Sequence, residues 1–199
     1  MKNTILDYKY FFFIGIGGIG MSALARYFNS LGKKVVGYDK TPSPLTNLLI
    51  EEGCDIYFED NLDKTPKTHL KSKETIVVYT PAIPKDSRQL SYFREKNFQV
   101  LKRSEVLGLI TRFNKALCVA GTHGKTTTSA MLAHILDQTD LKCSAFLGGI
   151  SSNFNSNVVL NNESEWTVVE ADEFDRSFLH LSPFSSIITA MDPDHLDVY

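Results

Sequence analysis

Residues 10–25 read YFFFIGIGGIGMSALA: an apolar run that breaks into glycines and resumes as a segment of small and apolar residues. A run with no polar alternation is what a strand buried on both faces requires. From Ser22 to Leu31 the apolar residues Leu24, Tyr27, Phe28 and Leu31 recur at helical spacing, and Gly32 stands where helices usually stop. Between strand and helix, Gly15, Gly17 and Gly20 have GxGxxG spacing. At such a turn the first glycine permits the bend and the second lets backbone approach a diphosphate. The third allows close packing of the helix, whose N-terminus supplies free N–H groups. The following KKVVGYD reads as a second strand ending at Asp39, an acid suited to a ribose hydroxyl.

The same alternation runs on. A short helix over Leu45–Glu52, strands CDIYF and TIVVYT, a helix over Arg88–Lys96, a strand FQVLK and a helix over Ser104–Thr111 follow in turn. Alternation of this kind predicts a Rossmann-like, doubly wound parallel sheet over residues 1–113. The pattern restarts after Asn114 with the strand KALCVA, the turn GTHG and a helix over Lys125–Asp137. CSAFLGG, WTVVEAD and SSIITAMD then read as strands. Residues 114–199 therefore read as a second α/β domain, of P-loop type and incomplete, because it stops at Tyr199 straight after its last readable strand.

At 199 residues and 43 % hydrophobic, the chain is long enough to bury a core in each unit. Its net charge of −2 and the absence of any basic run give no footprint for nucleic acid or anionic lipid. Cys54, Cys118 and Cys143 form no CxxC pair, which fits a reducing, cytoplasmic setting. The first 25 residues imitate a secretory signal, but Asp7 and the glycines oppose that reading. No apolar run approaches the ~20 residues that cross a bilayer. The sequence specifies no oligomeric state.

The second glycine turn carries more chemistry. Gly124-Lys125-Thr126 fits the end of a GxxxxGK[ST] phosphate loop, although Val119 stands where that pattern has its first glycine. The loop here is the shorter Gly121-Thr122-His123-Gly124-Lys125-Thr126-Thr127. Its backbone N–H groups can surround phosphates, Lys125 can reach the terminal ones, and a threonine hydroxyl can ligate Mg²⁺. Acids then cluster at two strand ends: Glu170, Asp172, Glu173 and Asp175 in one, Asp192, Asp194 and Asp197 with His195 in the other. Carboxylates beside a phosphate loop can hold Mg²⁺, while acidic loops are also ordinary solvated surface.

GIGGIGMSALA, YTPAIP, AGTHGKTTTSAML, VVEADEFDRSFLHL and AMDPDHLDVY together resemble the Mur ligase family of peptidoglycan precursor synthesis. The resemblance spans the family's N-terminal domain and roughly the first half of its central ATPase domain. It implies that the first turn holds the diphosphate of a UDP-sugar, not NAD, and that the second holds ATP. UDP-sugar contacts are implied for Gly15, Ile16, Gly17, Gly18, Ile19, Gly20, Asp39, Thr80, Pro81 and Ala82. ATP contacts are implied for Gly121 to Thr127. Lys125, Glu170 and His195 are implied as catalytic, with Mg²⁺ at Thr126, Glu170 and His195. The implied reaction is ATP-dependent: the lactyl carboxylate of UDP-N-acetylmuramate becomes an acyl phosphate, and L-alanine displaces phosphate to form an amide. By itself, a chain that stops within the ATPase domain is not expected to turn over. Glu59-Asp60 departs from the Gly-His common in relatives, on the uridine side. Three other readings stand beside this one. They are a ligase attaching a whole tripeptide to the same UDP-sugar, an NAD-binding dehydrogenase or sensor module, and a non-catalytic UDP-sugar binder. FDRSFLHL favours alanine as acceptor over the tripeptide, and the NAD reading leaves Lys125 and the acids without a role.

Overall fold

The computed structural model describes residues 4–84 and 86–193. The chain divides into two compact units, Met1–Val106 and Leu107–Tyr199. In the first, β1 (Tyr10–Ile14), α1 (Ile19–Ser30), β2 (Lys34–Tyr38), α2 (Pro44–Glu51), β3 (Asp55–Tyr57), β4 (Thr75–Tyr79), α3 (Arg88–Glu95) and β5 (Gln99–Lys102) succeed one another, and α4 (Arg103–Thr111) begins. The five strands pair in the order β3-β2-β1-β4-β5, all parallel. The chain winds one way from β1 to β3 and the other way from β4 to β5. That reversal opens a crevice at the carboxyl ends of β1 and β4, where open α/β sheets bind ligands.

The apolar run of β1 is explained by two covered faces. Phe11 stacks on Phe28 of α1, with centroids 3.9 Å apart. Phe12, its neighbour, points the other way and meets Phe93 of α3 at 4.6 Å. Successive side chains of a strand alternate faces, so both residues must be apolar, and both are fully buried. Around Phe12 a core of Ile14, Val36, Tyr57, Val77, Leu90, Phe93 and Phe98 fills the α3 side.

The second unit contains β6 (Lys115–Ala120), α5 (Lys125–Asp137), β7 (Ser144–Ser151), β8 (Ser156–Val159), β9 (Trp166–Glu170) and β10 (Ser185–Ile188), in the sheet order β10-β6-β9-β7-β8. Its core joins Ala133 and Leu136 of α5 to Cys143, Ala145, Leu147 and Val168. Two details differ from the sequence expectation. β8 was not foreseen, and it pairs antiparallel with β7 in an otherwise parallel sheet. α1 starts at Ile19, ahead of Ser22. The compact units meet inside α4, because the end of this helix engages the second unit. A Cβ on Gly108 would run into the His180 carbonyl, and Thr111 Oγ1 accepts the Ser182 N–H at 3.0 Å.

Burial pushes the thiols of Cys54, Cys118 and Cys143 up to about 12, 11 and 11, so all three stay protonated and inert. Among the described residues no helix is long and apolar enough to cross a membrane.

His69 is 4 % exposed, with Nε2 3.1 Å from the Lys34 carbonyl. Burial lowers its pKa, against smaller opposing effects of that carbonyl and Asp55. The folded state therefore holds a neutral ring. Its contribution to stability is complete above the ordinary histidine value of about 6.5 and is lost as pH falls below it. We expect unfolding free energy to decline on acidification below that pH, by at most about 1.4 kcal/mol per pH unit from this residue. His69→Gln should flatten that part of the profile in denaturant titrations. An unchanged slope would mean that His69 is not its source.

Candidate functional site

The first glycine turn floors a pocket of 750 Å³ in the first unit. Gly15 has φ +84°, and a Cβ there would meet Thr80 Cγ2 at 2.8 Å and Ile83 Cδ1 at 3.1 Å. The turn after β4 thus closes directly over Gly15. On the other side, Gly17 N–H donates to Asp39 Oδ2 at 2.7 Å, and a Cβ on Gly17 would lie 2.9 Å from that oxygen. The second Asp39 oxygen accepts the Thr41 N–H at 3.1 Å. Asp39 therefore fastens the glycine turn to the end of β2, a task its position in the sequence did not reveal.

Gly15, Gly17, Gly18, Asp39, Thr80 and Ala82 all line this pocket. Ile16 does not. Its side chain is fully buried and its N–H donates to the Tyr38 carbonyl, so it anchors the turn in the core. Ile19, Gly20 and Pro81 also lie off the wall. Gly20 makes room for a side chain, not a strand: a Cβ there would meet Arg103 Cδ at 2.8 Å.

The lining residues that sequence reasoning missed include Lys40, Thr41, Ser87 and Arg88. Ser87 carried a usable signal, since a serine before an apolar-periodic segment is a helix cap. Its hydroxyl accepts from the Leu90 N–H at 3.4 Å. Asp60, with Asp39, also faces Tyr38. Burial and these two carboxylates raise the pKa of the Tyr38 phenol and keep it a hydrogen-bond donor.

The second turn lies in the other unit, between β6 and α5. Gly121 has φ +127° and Gly124 φ +81°, and Gly124 caps α5 with no side-chain cap. Thr122, His123, Gly124, Lys125, Thr126, Thr127 and Glu170 line one hollow. Gly121 lines the adjoining 480 Å³ pocket with Phe178 and Met191. Lys125 Nζ donates to the Gly121 carbonyl at 2.7 Å and the Thr122 carbonyl at 3.3 Å, and pairs with Glu173 Oε1 at 2.9 Å. Both side chains of this ion pair are largely buried, 12 % and 22 % exposed. Thr126 Oγ1 lies 3.0 Å from each oxygen of Glu170, and Glu170 Oε2 also accepts the Gly148 N–H at 2.9 Å.

Lys125, Thr126 and Glu170 are thus brought together, 45 residues of chain being closed by the β6–β9 pairing. His195 lies outside the described residues, as do Asp194 and Asp197. Among the described residues no group of three or more His, Cys, Asp or Glu side chains is placed to hold a metal ion by itself. Thr126 and Glu170 are nonetheless hard oxygen donors of the kind Mg²⁺ takes.

The model of the Mur ligase family's catalytic domain matches residues 11–115, and that of the Mur ligase middle domain matches residues 119–199. A UDP-N-acetylmuramate–L-alanine ligase of Porphyromonas gingivalis is 58 % identical over 96 % of this chain and 42 % of its own length. One of Phocaeicola vulgatus is 58 % identical over 99 % of the chain and 42 % of its own. The chain therefore spans about two-fifths of the curated relatives it matches. Among solved structures, a UDP-N-acetylmuramate-alanine ligase from Thermotoga maritima superposes with a TM-score of 0.82 at 33 % identity, over 96 % of this chain and 43 % of that one. UDP-N-acetylmuramate:L-alanyl-gamma-D-glutamyl-meso-diaminopimelate ligase from Neisseria meningitides gives 0.83 at 27 % identity, over 96 % and 63 %. With one family model over the first glycine turn and a second over the lysine turn, this chain belongs to the Mur ligase family.

Proposed function

We propose that this chain provides the UDP-sugar site and the ATP-phosphate site of a cytoplasmic ligase that joins L-alanine to the lactyl carboxylate of UDP-N-acetylmuramate. The observation that carries the reading is the pairing of two different glycine turns in one chain. The first, wide and tied to Asp39, fits a nucleotide diphosphate with its ribose. The second, with Lys125, Thr126 and Glu170, fits the phosphates of ATP. An NAD-binding module would use only the first. The curated relatives at 58 % identity are alanine ligases, and among solved structures the alanine ligase is 33 % identical against 27 % for the tripeptide ligase, which supports alanine as acceptor.

In this reading a lactyl carboxylate oxygen attacks the γ-phosphorus of ATP and ADP leaves, giving an acyl phosphate. The alanine amine attacks the acyl carbon and phosphate departs. Alignment and charge neutralisation are what such transfers need. Lys125 is preset for the second task. It already holds an anion, the Glu173 carboxylate, and bound phosphate would exchange one anion for another. The two loop carbonyls keep the ammonium over the turn during that exchange. Thr126 and Glu170 would hold Mg²⁺, which screens phosphate charge when bound. Gly148 N–H orients Glu170 for that purpose.

Phosphate release by the full protein tests the assignment. With ATP and UDP-N-acetylmuramate present, L-alanine should start turnover, whereas the tripeptide should not. Turnover with the tripeptide alone would move the protein to the recycling reaction. Failure with both acceptors would remove the ligase reading.

A further inference from the structure

Arg103, the first residue of α4, is half-buried against the first glycine turn. A Cβ on Gly20 would meet its Cδ at 2.8 Å, its Nη1 at 2.9 Å and its Cζ at 3.3 Å. Gly20 is the second residue of α1. Helical Cα–Cβ bonds tilt toward the N-terminus, so the guanidinium lies beside the first turn of α1.

That position is electrostatically unfavourable without an anion. The N-terminus of a helix carries unpaired N–H groups and a partial positive charge. Here the cap is Gly18, with no side-chain cap, and no acidic residue occupies the first turn. Arg103 adds a full positive charge. No hydrogen bond or ion pair joins it to an acceptor among the described residues. By contrast Arg26, on α1 itself, pairs with Glu52 at 2.7 Å. A guanidinium has five N–H donors, and leaving them unmet in a half-buried place is costly.

We infer that Arg103 is an anion-binding side chain of the first site, donating to a phosphate of the bound nucleotide, and that Gly20 is required because any side chain there would displace it. This rests on the UDP-sugar reading of that site. A guanidinium fork matches a phosphate's oxygens in a way that a lysine ammonium does not.

The test is calorimetric titration of the full protein with UDP, and with uridine as the phosphate-free reference. Arg103→Gln should weaken UDP by about 10- to 100-fold and leave uridine unchanged. Arg103→Lys should fall between, and covers the case in which the glutamine variant does not fold. Gly20→Ala should also weaken UDP, and combining it with Arg103→Gln should add no more than about twofold, since both act through one guanidinium. Equal losses for UDP and uridine, or additive losses in the double variant, would overturn the inference. So would UDP binding unaffected by either Arg103 substitution. A wild-type protein that binds no UDP would instead overturn the UDP-sugar reading itself.

Discussion

Lys125→Met in the full protein is expected to lower alanine-dependent phosphate release by about a thousandfold or more, mostly in kcat. The ammonium is set over the turn by two carbonyls and is held away from solvent, which strengthens its field on a phosphate. Charge on the transferred group and its leaving oxygen redistributes most in the transition state, so the missing cation is felt more there than in the ground state. The KM for ATP should rise less than kcat falls, because backbone N–H groups of the turn still bind phosphate. The substitution strands the Glu173 carboxylate, so the melting temperature belongs beside the kinetics. A variant that melts normally yet keeps more than about a tenth of wild-type kcat would take Lys125 out of the chemistry.

Gly121→Ala should be the most damaging single methyl in the second unit. Gly121 has φ +127°, a conformation closed to residues with a Cβ. The added carbon would also sit 2.8 Å from the Ala190 carbonyl oxygen and 2.9 Å from its nitrogen. Those are backbone atoms of the segment after β10, itself tied to the loop by Thr122 N–H to the Ala190 carbonyl at 3.0 Å. Neither rotamer change nor a small shift relieves both problems, and moving the loop breaks its ties to that segment. We expect a loss of about 3 kcal/mol or more, a melting temperature lower by roughly 10 °C, and no measurable ATP binding. A melting temperature within about 2 °C of wild type would show that the turn can relax, contrary to this geometry.

The three rules that made the fold readable were local. β1 announces itself because both faces of its sheet are covered, so Phe11 and Phe12 must both be apolar. Gly32 and Gly53 end helices at φ +73° and +90°, where glycine is the residue of choice. Lys125 and Thr126 follow a strand and open a helix, and that context is carried by neighbouring residues alone. β8 escaped because its four residues, Ser156–Val159, show no readable period and gain their order from β7.

The sequence by itself therefore determined the two α/β units, the two glycine turns and the residues that crowd them. Tertiary structure decided what those residues do. Asp39, read as an acid for a ribose, also accepts the Gly17 N–H, to which sheet pairing brings it. Gly20 looked like a helix-packing glycine, but α4, some eighty residues on, lays Arg103 against it. Glu170 and Thr126 meet because β6 and β9 are neighbours, and Glu173 becomes the partner of Lys125 by the same pairing. Local pattern records the conformation that a residue and its neighbours prefer. Which hydrogen bond or charge a side chain finally meets depends on strand order, and that is set by the burial of the whole sheet.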